Sequence, residues 1–335
     1  MPSFTIWMTD KCNLACNYCY EKNNVDRTAD REVMDIGTII AFIKEKADQY
    51  KERDILISFH GGEPLLEYNK IREYVERLEM VFRDRRLFLF MTTNGLLLNR
   101  EKADYLMSHF TELSVSIDGC KEAHDLNRVF PNGHGSYQEV IQNVEQSGLD
   151  KNKLRIRMTV TANNVVHLAS GVENLVMQGF RCIVPAVALE DPEWTEERLM
   201  ILENELIRIK KKYYGKNIRI AMIDRKEMQK KGQCAGGITS FNIMENGDVY
   251  PCEFVAGNKM FLLGNVTDIH IDEEALRKLY GHDSCRECTE CTYKMYCEGV
   301  RCKYINMSNN DDLHTPSDIT CMVENIKYRI YNYMP

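Results

Sequence analysis

The stretch Cys12-Asn-Leu-Ala-Cys16-Asn-Tyr-Cys19-Tyr20 decides how the rest of the chain is read. Three cysteines fall within eight residues, at spacings of four and three, directly after an apolar run at 4–9 (FTIWMT) that reads as a strand. One short loop therefore carries three thiols and not four. An iron–sulfur cube has four iron corners, and cysteine thiolates are their usual ligands, so three ligands leave one iron open. The alternative, a structural zinc site, asks for four ligands and often pairs CxxC units. The open iron is read as the working end of the protein.

A chain of 335 residues suggests one large α/β domain with a smaller appendage. No apolar run reaches the roughly 18 residues that a membrane-spanning helix needs, so no membrane association is expected. The 43 basic residues against 50 acidic ones, net −7, argue against a nucleic-acid binder. The local basic runs Lys210-Lys211-Lys212 and 225–231 read as solvated helix faces. Thirteen cysteines without a recognisable signal peptide point to a cytoplasmic protein in which clustered thiols serve metal or redox chemistry. Eleven of the thirteen fall into a front and a rear group, whereas Cys120 and Cys182 stand apart and read as ordinary buried cysteines.

Up to about Leu189, apolar runs alternate with amphipathic stretches. Strands are expected at 4–9, 55–59, 87–92, 112–117, 154–161 and 182–188, and helices at 32–50, 67–83, 100–109, 136–147, 164–178 and 194–213. Ile71, Tyr74, Val75 and Leu78 show the i, i+3, i+4, i+7 spacing of a helix face. Near-continuous apolar strands between helices indicate a parallel sheet covered by helices, with too few units for a closed eight-fold barrel. In such folds chemistry gathers at the C-terminal strand ends. There lie His60-Gly61-Gly62-Glu63-Pro64, Thr92-Thr93-Asn94-Gly95, Ser114-Val115-Ser116-Ile117-Asp118-Gly119 and His124-Asp125-Leu126-Asn127-Arg128. Gly61 and Gly62 allow close backbone approach, and Glu63 offers a carboxylate to an ammonium group. Taken singly, each motif also suits a turn or a helix cap.

Past about residue 217 the rhythm stops. Residues 238–255 read as a β-hairpin about Glu245-Asn246-Gly247-Asp248, followed by a helix at 272–280 and a last helix begun by Cys321 at 321–333. The rear cysteines are Cys234, Cys252, Cys285, Cys288, Cys291, Cys297, Cys302 and Cys321. Two zinc ribbons are the alternative to iron–sulfur ligation for this set.

The front motifs together resemble the radical S-adenosylmethionine (SAM) superfamily, with its CxxxCxxC loop, the aromatic Tyr18 before the third cysteine, and GGE, TNG, S-x-D-G and HDxxR segments. The resemblance implies a partial (β/α)6 barrel, a [4Fe–4S] cluster on Cys12, Cys16 and Cys19, and reductive cleavage of SAM to a 5′-deoxyadenosyl radical. It also implies that Glu63 holds the SAM amino group and that Thr93, Asn94, Ser116 and Asp118 line its pocket. Arg128 would face the SAM carboxylate with its planar fork, or else form a salt bridge with Asp118 or Asp125. Thr159 to Thr161 would pack against the adenine.

The rear pattern resembles the SPASM domain of radical SAM enzymes that act on peptides and proteins. By that resemblance one auxiliary [4Fe–4S] cluster takes Cys288, Cys291, Cys297 and Cys321. A second takes Cys234, Cys252 and Cys302, with its fourth corner either Cys285 or open to substrate. The step from Cys297 to Cys302 is one residue longer than usual, and Cys285 is additional. The implied organisation is a barrel at 1–215 and an auxiliary-cluster domain at 216–335, with three clusters in all.

The expected activity is radical modification of a peptide or protein substrate, with flavodoxin or ferredoxin as external electron donor. The first expectation is a thioether or carbon–carbon crosslink in a ribosomally made peptide. The alternative is an anaerobic sulfatase-maturing enzyme that forms formylglycine from Ser or Cys. That subgroup carries an acid after the hairpin cysteine in a YPCD-like sequence. Here Glu253 follows in YPCEF and is the candidate general base. With three residues before the first strand, the substrate is expected to be gripped by the barrel mouth, the 190–232 segment or a partner. A non-catalytic electron carrier would have no need of the strand-end motifs.

Overall fold

A computed structural model describes residues 1–21, 32–224, 229–281 and 286–335, excluding the side chains of 286 and 287. Cys285 and part of the second basic run lie outside the described residues. The front of the chain alternates strands and helices: β1 (Ser3–Trp7), α1 (Ile36–Asp48), β2 (Asp54–His60), α2 (Tyr68–Val81), β3 (Arg86–Thr93), α3 (Arg100–His109), β4 (Glu112–Ser116), then the short α4 (Lys121–Asp125) and α5 (Tyr137–Ser147). It continues through β5 (Arg155–Val160), α6 (Leu168–Met177), β6 (Cys182–Val187), α7 (Glu196–Tyr213) and a two-residue β7 (Arg219–Ile220). The rear holds β8 (Ser240–Ile243), β9 (Asp248–Tyr250), β10 (Gly264–Asn265), α8 (Glu273–Leu279), α9 (Arg286–Glu290), α10 (Glu298–Arg301), α11 (Lys303–Asn310) and α12 (Asp318–Asn332).

The helices begin where local chemistry predicts. Asp35 caps α1 by accepting from the Thr38 amide at 3.0 Å, and Ile36, Ile39, Ile40 and Ile43 then bury one face. Thr195 caps α7 at the Arg198 amide, and Leu199, Leu202, Leu206 and Ile209 turn inward. Each of these buried aliphatic side chains contributes roughly 1.5–3 kcal/mol of transfer free energy. Strands β1 to β7 pair in sequence order, all parallel, and bury apolar side chains between the helices and the concave interior.

The rear hairpin is not a separate sheet. Strand β8 pairs in parallel with β1, with Phe4 opposite Phe241 and Ile6 opposite Ile243, and β9 and β10 follow antiparallel. Phe4 and Phe241 stack at 5.6 Å, and Trp7 Nε1 donates to Asn242 Oδ1. One ten-stranded open sheet therefore runs β10-β9-β8-β1-β2-β3-β4-β5-β6-β7 and crosses the position expected to divide two domains. At the other edge, Lys210 of α7 buries its ammonium and donates to the carbonyls of Ile330 (2.5 Å) and Tyr331 (3.3 Å) at the end of α12. Helix α12 begins at Asp318 under a Ser317 cap, so Cys321 sits within its first turn and does not begin it. Among the described residues no helix is long and apolar enough to cross a membrane.

Candidate functional site

The cysteine loop leaves the C-terminal end of β1 and is held on two sides. Ala15 and Asn17 donate backbone N–H groups to the carbonyls of Val129 (2.8 Å) and Asn127 (2.9 Å). On the other side Gly62 N donates to Thr9 O and Glu63 N to Lys11 O, both at 2.9 Å. Gly61 and Gly62 allow that second contact. A Cβ on Gly62 would lie 2.2 Å from Lys11 O, and one on Gly61 2.3 Å from Thr9 O, with Gly61 at φ +122°. The glycines thus permit a close approach to neighbouring backbone. The thiols of Cys12, Cys16 and Cys19 are partly accessible on this clamped loop.

The first two strand-end motifs meet beside Cys12. Glu63 is buried, and its carboxylate accepts from Thr93 Oγ1 (2.7 Å), the Asn94 amide (2.7 Å) and the Leu65 amide (3.0 Å). Asn94 Nδ2 donates to Asn13 Oδ1 at 2.7 Å and lies 4.0 Å from Cys12 Sγ. Burial pushes the Glu63 pKa up, although these hydrogen bonds pull it partly back. Among the described residues Glu63 forms no ion pair, and its three donors are uncharged. A desolvated carboxylate with uncharged partners fits an ammonium ligand, which would supply the missing cation.

A second group gathers about Asp118, which is fully buried. Tyr18 Oη donates to its Oδ2 at 2.7 Å, the Thr159 amide donates to Oδ1 at 2.8 Å, and Arg128 Nε lies 3.0 Å from Oδ2. The Arg128 guanidinium also sits over the Tyr18 ring, 5.3 Å from its centroid. Burial raises the Asp118 pKa, against the lowering effect of Arg128 and the hydrogen bonds. Arg128 therefore meets Asp118, the alternative the sequence leaves open for it, and Asp118 acts as a strut between the cysteine loop and β5. Ser116 is buried at the end of β4. His124 lies beneath this group, its ring 3.0 Å from Ser136 Oγ, and burial holds it well below the usual histidine range.

Two cavities lie along β5 and β6, the first of them beside the loop. One, of about 340 Å³, is lined by Tyr18, Cys19, Asn127, Thr161, Asn163 and Glu190 among others. Motif reading does not single out Asn127, Asn163 and Glu190, although position after a strand marks them. The other, of about 570 Å³, lies between Arg157, residues 184–187 and the rear residues Lys231, Tyr296, Glu298, Glu324 and Lys327.

Glu253 follows Cys252 and opens a short turn whose Phe254 ring lies 5.0 Å from that of Tyr20. Its charge reaches Tyr20, His60 and Arg157. His60 Nε2 is 3.2 Å from Glu21 Oε1 and 3.3 Å from Tyr20 Oη. Tyr20, Glu21 and His60 are further polar residues at this place that motif reading passes over, though His60 stands directly before the paired glycines.

The rear thiols form two neighbourhoods. Burial first, then Glu253, Cys302 and Cys234, push the Cys252 thiol up. Cys302 is pushed up to about 11 by burial and Cys234, and Cys297 to about 11 by burial, Glu324 and Cys321. Cys288 and Cys291 adjoin through a Cys291 N to Cys288 O bond of 3.2 Å. Crowded thiols that resist ionisation are a donor set that needs a metal cation to hold them as thiolates. Among the described residues no three His, Cys, Asp or Glu side chains converge tightly enough for a single metal ion.

Residues 6–161 match the Radical SAM superfamily. The chain is 24% identical over 333 residues to a cysteine-type anaerobic sulfatase-maturating enzyme of Clostridium novyi (strain NT), covering 89% of this chain and 83% of that one. Its fold resembles that of native anSMEcpe with bound AdoMet (TM-score 0.78, 20% identity, 98% of this chain and 97% of that one). It also resembles Streptococcus suis SuiB bound to the precursor peptide SuiA (TM-score 0.64, 16% identity, 95% and 75%).

Proposed function

From the premise that this chain is an enzyme carrying a radical SAM domain over residues 6–161, we propose that it oxidises a residue of a peptide or protein substrate. The observation that carries the reading is the buried Glu63 carboxylate, joined through Asn94 to the three-cysteine loop at Cys12. Cys12, Cys16 and Cys19 would hold the SAM-binding cluster. Glu63 would hold the SAM ammonium, with Gly61, Gly62, Thr93 and Asn94 shaping that end of the pocket. Tyr18, Ser116, Asp118 and Arg128 would support the other. Cys288, Cys291, Cys297 and Cys321 would hold one auxiliary cluster. Cys234, Cys252 and Cys302 would hold the other, with Cys285 or an open corner completing it. When bound, these groups supply a carbon radical that removes a hydrogen atom from the substrate and acceptors for the electron that remains.

The protein's own part is to bind, orient and deprotonate. The loop clamps keep the three cysteines in register, and Asp118 ties Tyr18 and Arg128 to β5. Glu253, close to Tyr20 and His60, is the proposed acceptor for a substrate proton. Formation of an aldehyde from Cys or Ser is supported by the near full-length similarity to a cysteine-type anaerobic sulfatase-maturating enzyme. A thioether or carbon–carbon crosslink is the second reading, favoured by glutamate at 253 where the sulfatase subgroup carries aspartate. The test is anaerobic reconstitution followed by SAM and dithionite. Release of 5′-deoxyadenosine supports the reading, and its absence from fully iron-loaded enzyme sinks it. Mass spectrometry of treated peptides separates the outcomes, since a crosslink loses two hydrogens whereas an aldehyde made from Cys also loses sulfur.

A further inference from the structure

The 570 Å³ cavity between β5, β6 and the rear helices has an uneven charge pattern. Two of its lysines are neutralised in place. Lys231 Nζ lies 2.6 Å from Glu298 Oε2, and Lys327 Nζ lies 2.6 Å from Glu324 Oε1. Outside the cavity, Arg155 pairs with Glu112 at 2.5 Å. The guanidinium of Arg157 on β5 has no hydrogen bond and no ion pair among the described residues. Solvent in the cavity reaches its side chain, yet the surrounding protein and the nearby Arg155 hold its pKa below the usual arginine value. A planar cation that lines a pocket without a partner leaves its fork of donors free to receive a carboxylate or phosphate. Among the described residues Glu298 and Glu324 offset Lys231 and Lys327, so their lining carries an excess of one positive charge, which a monoanion balances. The lining of this cavity meets that of the 340 Å³ cavity beside the cysteine loop at the neighbouring residues Val187 and Ala188. Its volume suits several residues of a peptide.

We propose that Arg157 is a specificity-determining residue that receives a carboxylate of the bound peptide, either an acidic side chain or the C-terminal carboxylate. The proposal rests on the peptide-modifying reading above and names the chemistry of its substrate. A single cation at a fixed point on a strand would also set which residue of the peptide reaches the cysteine loop.

The experiment uses the reconstituted full-length enzyme with SAM and measures anisotropy of labelled Gly/Ser heptapeptides. One set scans a single Glu through every position with a matched Gln set, and another compares free-acid with amidated C-termini. Wild type should bind at least one Glu peptide, or the free acid, about tenfold more tightly than its uncharged partner. The Glu scan and the terminus pair identify which carboxylate is used. Arg157→Gln should abolish that preference, Arg157→Lys should keep part of it, and SAM affinity should be the same in all three. No carboxylate preference in wild type overturns the proposal, as does a preference that survives Arg157→Gln. A parallel loss of SAM affinity overturns it too, by assigning Arg157 to the cofactor. Iron content reports whether each variant folds. Absence of 5′-deoxyadenosine from wild type would defeat the radical SAM reading instead, and the binding comparison does not depend on it.

Discussion

The backbone amide of Asn94 donates to Glu63 Oε2 across 2.7 Å, joining the ends of β2 and β3 directly behind Cys12. Only the ionised Glu63 can pair with an ammonium group. Burial raises its pKa above the ordinary 4.5, so SAM affinity should climb as pH rises through that elevated value. The same group acts oppositely on the ligand-free protein. Its contribution to stability is present below the unfolded pKa and is lost as pH rises through the folded one. Glu63→Gln should weaken SAM binding by about tenfold or more and flatten its pH profile, while iron content holds. Equilibrium dialysis between pH 5 and 8 reads this, and an unchanged profile would remove Glu63 from the ammonium site.

Gly62 should tolerate nothing larger. An added Cβ meets Lys11 O at 2.2 Å and Lys11 C at 2.6 Å, both backbone atoms that carry the cysteine loop. Gly62→Ala should cost roughly 3 kcal/mol or more and release the loop, with about four irons lost per chain. Gly133 makes the control. Unlike Gly62 it has positive φ (+85°), but a Cβ there meets nothing within 4 Å, so Gly133→Ala should cost only about 1 kcal/mol of backbone strain and keep its iron. Urea midpoints and iron assays distinguish the two.

Much of this is legible in the amino-acid sequence, for identifiable reasons. Strands buried on both faces must be apolar throughout, so 55–59 and 87–92 stand out, and Asp35 and Thr195 mark helix starts by their capping chemistry. The three-cysteine loop and its strand-end motifs are likewise local patterns. What stays hidden depends on distant pairing. Nothing in 240–243 says that it will lie beside 3–6, since that register belongs to two segments more than 200 residues apart. The tie between Arg128 and Asp118, the His60–Glu21 pair and the lone cation Arg157 are also products of the closed fold. Motif reading names residue types and leaves their partners open.

Tyr18→Phe tests the Asp118 strut. Tyr18 Oη is one of three groups that satisfy this buried carboxylate, and its removal should cost about 1–3 kcal/mol. The Asp118 pKa is already raised by burial, so the stability tied to it is present below the unfolded pKa and lost as pH rises through the folded one. Loss of the Tyr18 donor raises it further. The variant should therefore lose more stability at pH 8 than at pH 5, measured as the shift in urea midpoint. An equal loss at both pH values would show that the ring's packing, and not its hydroxyl, matters.

The rear thiols make the sharpest quantitative prediction, because Cys302 and Cys297 belong to different neighbourhoods although only five positions separate them. Cys302 shares its surroundings with Cys234, and Cys297 with Cys321 across the start of α12. If each neighbourhood holds one cubic cluster, wild type should carry about twelve irons per chain. A Cys12/Cys16/Cys19 triple alanine variant should carry about eight and make no 5′-deoxyadenosine. Replacing Cys234, Cys252 and Cys302 together should also leave about eight, as should replacing Cys297 with Cys321, and both changes together about four. The two auxiliary sets should therefore subtract independently, whereas a single shared cluster would make the second replacement silent. Reconstituted wild type holding only about four irons would sink the auxiliary assignment altogether, and zinc bound in their place would return the two-ribbon alternative.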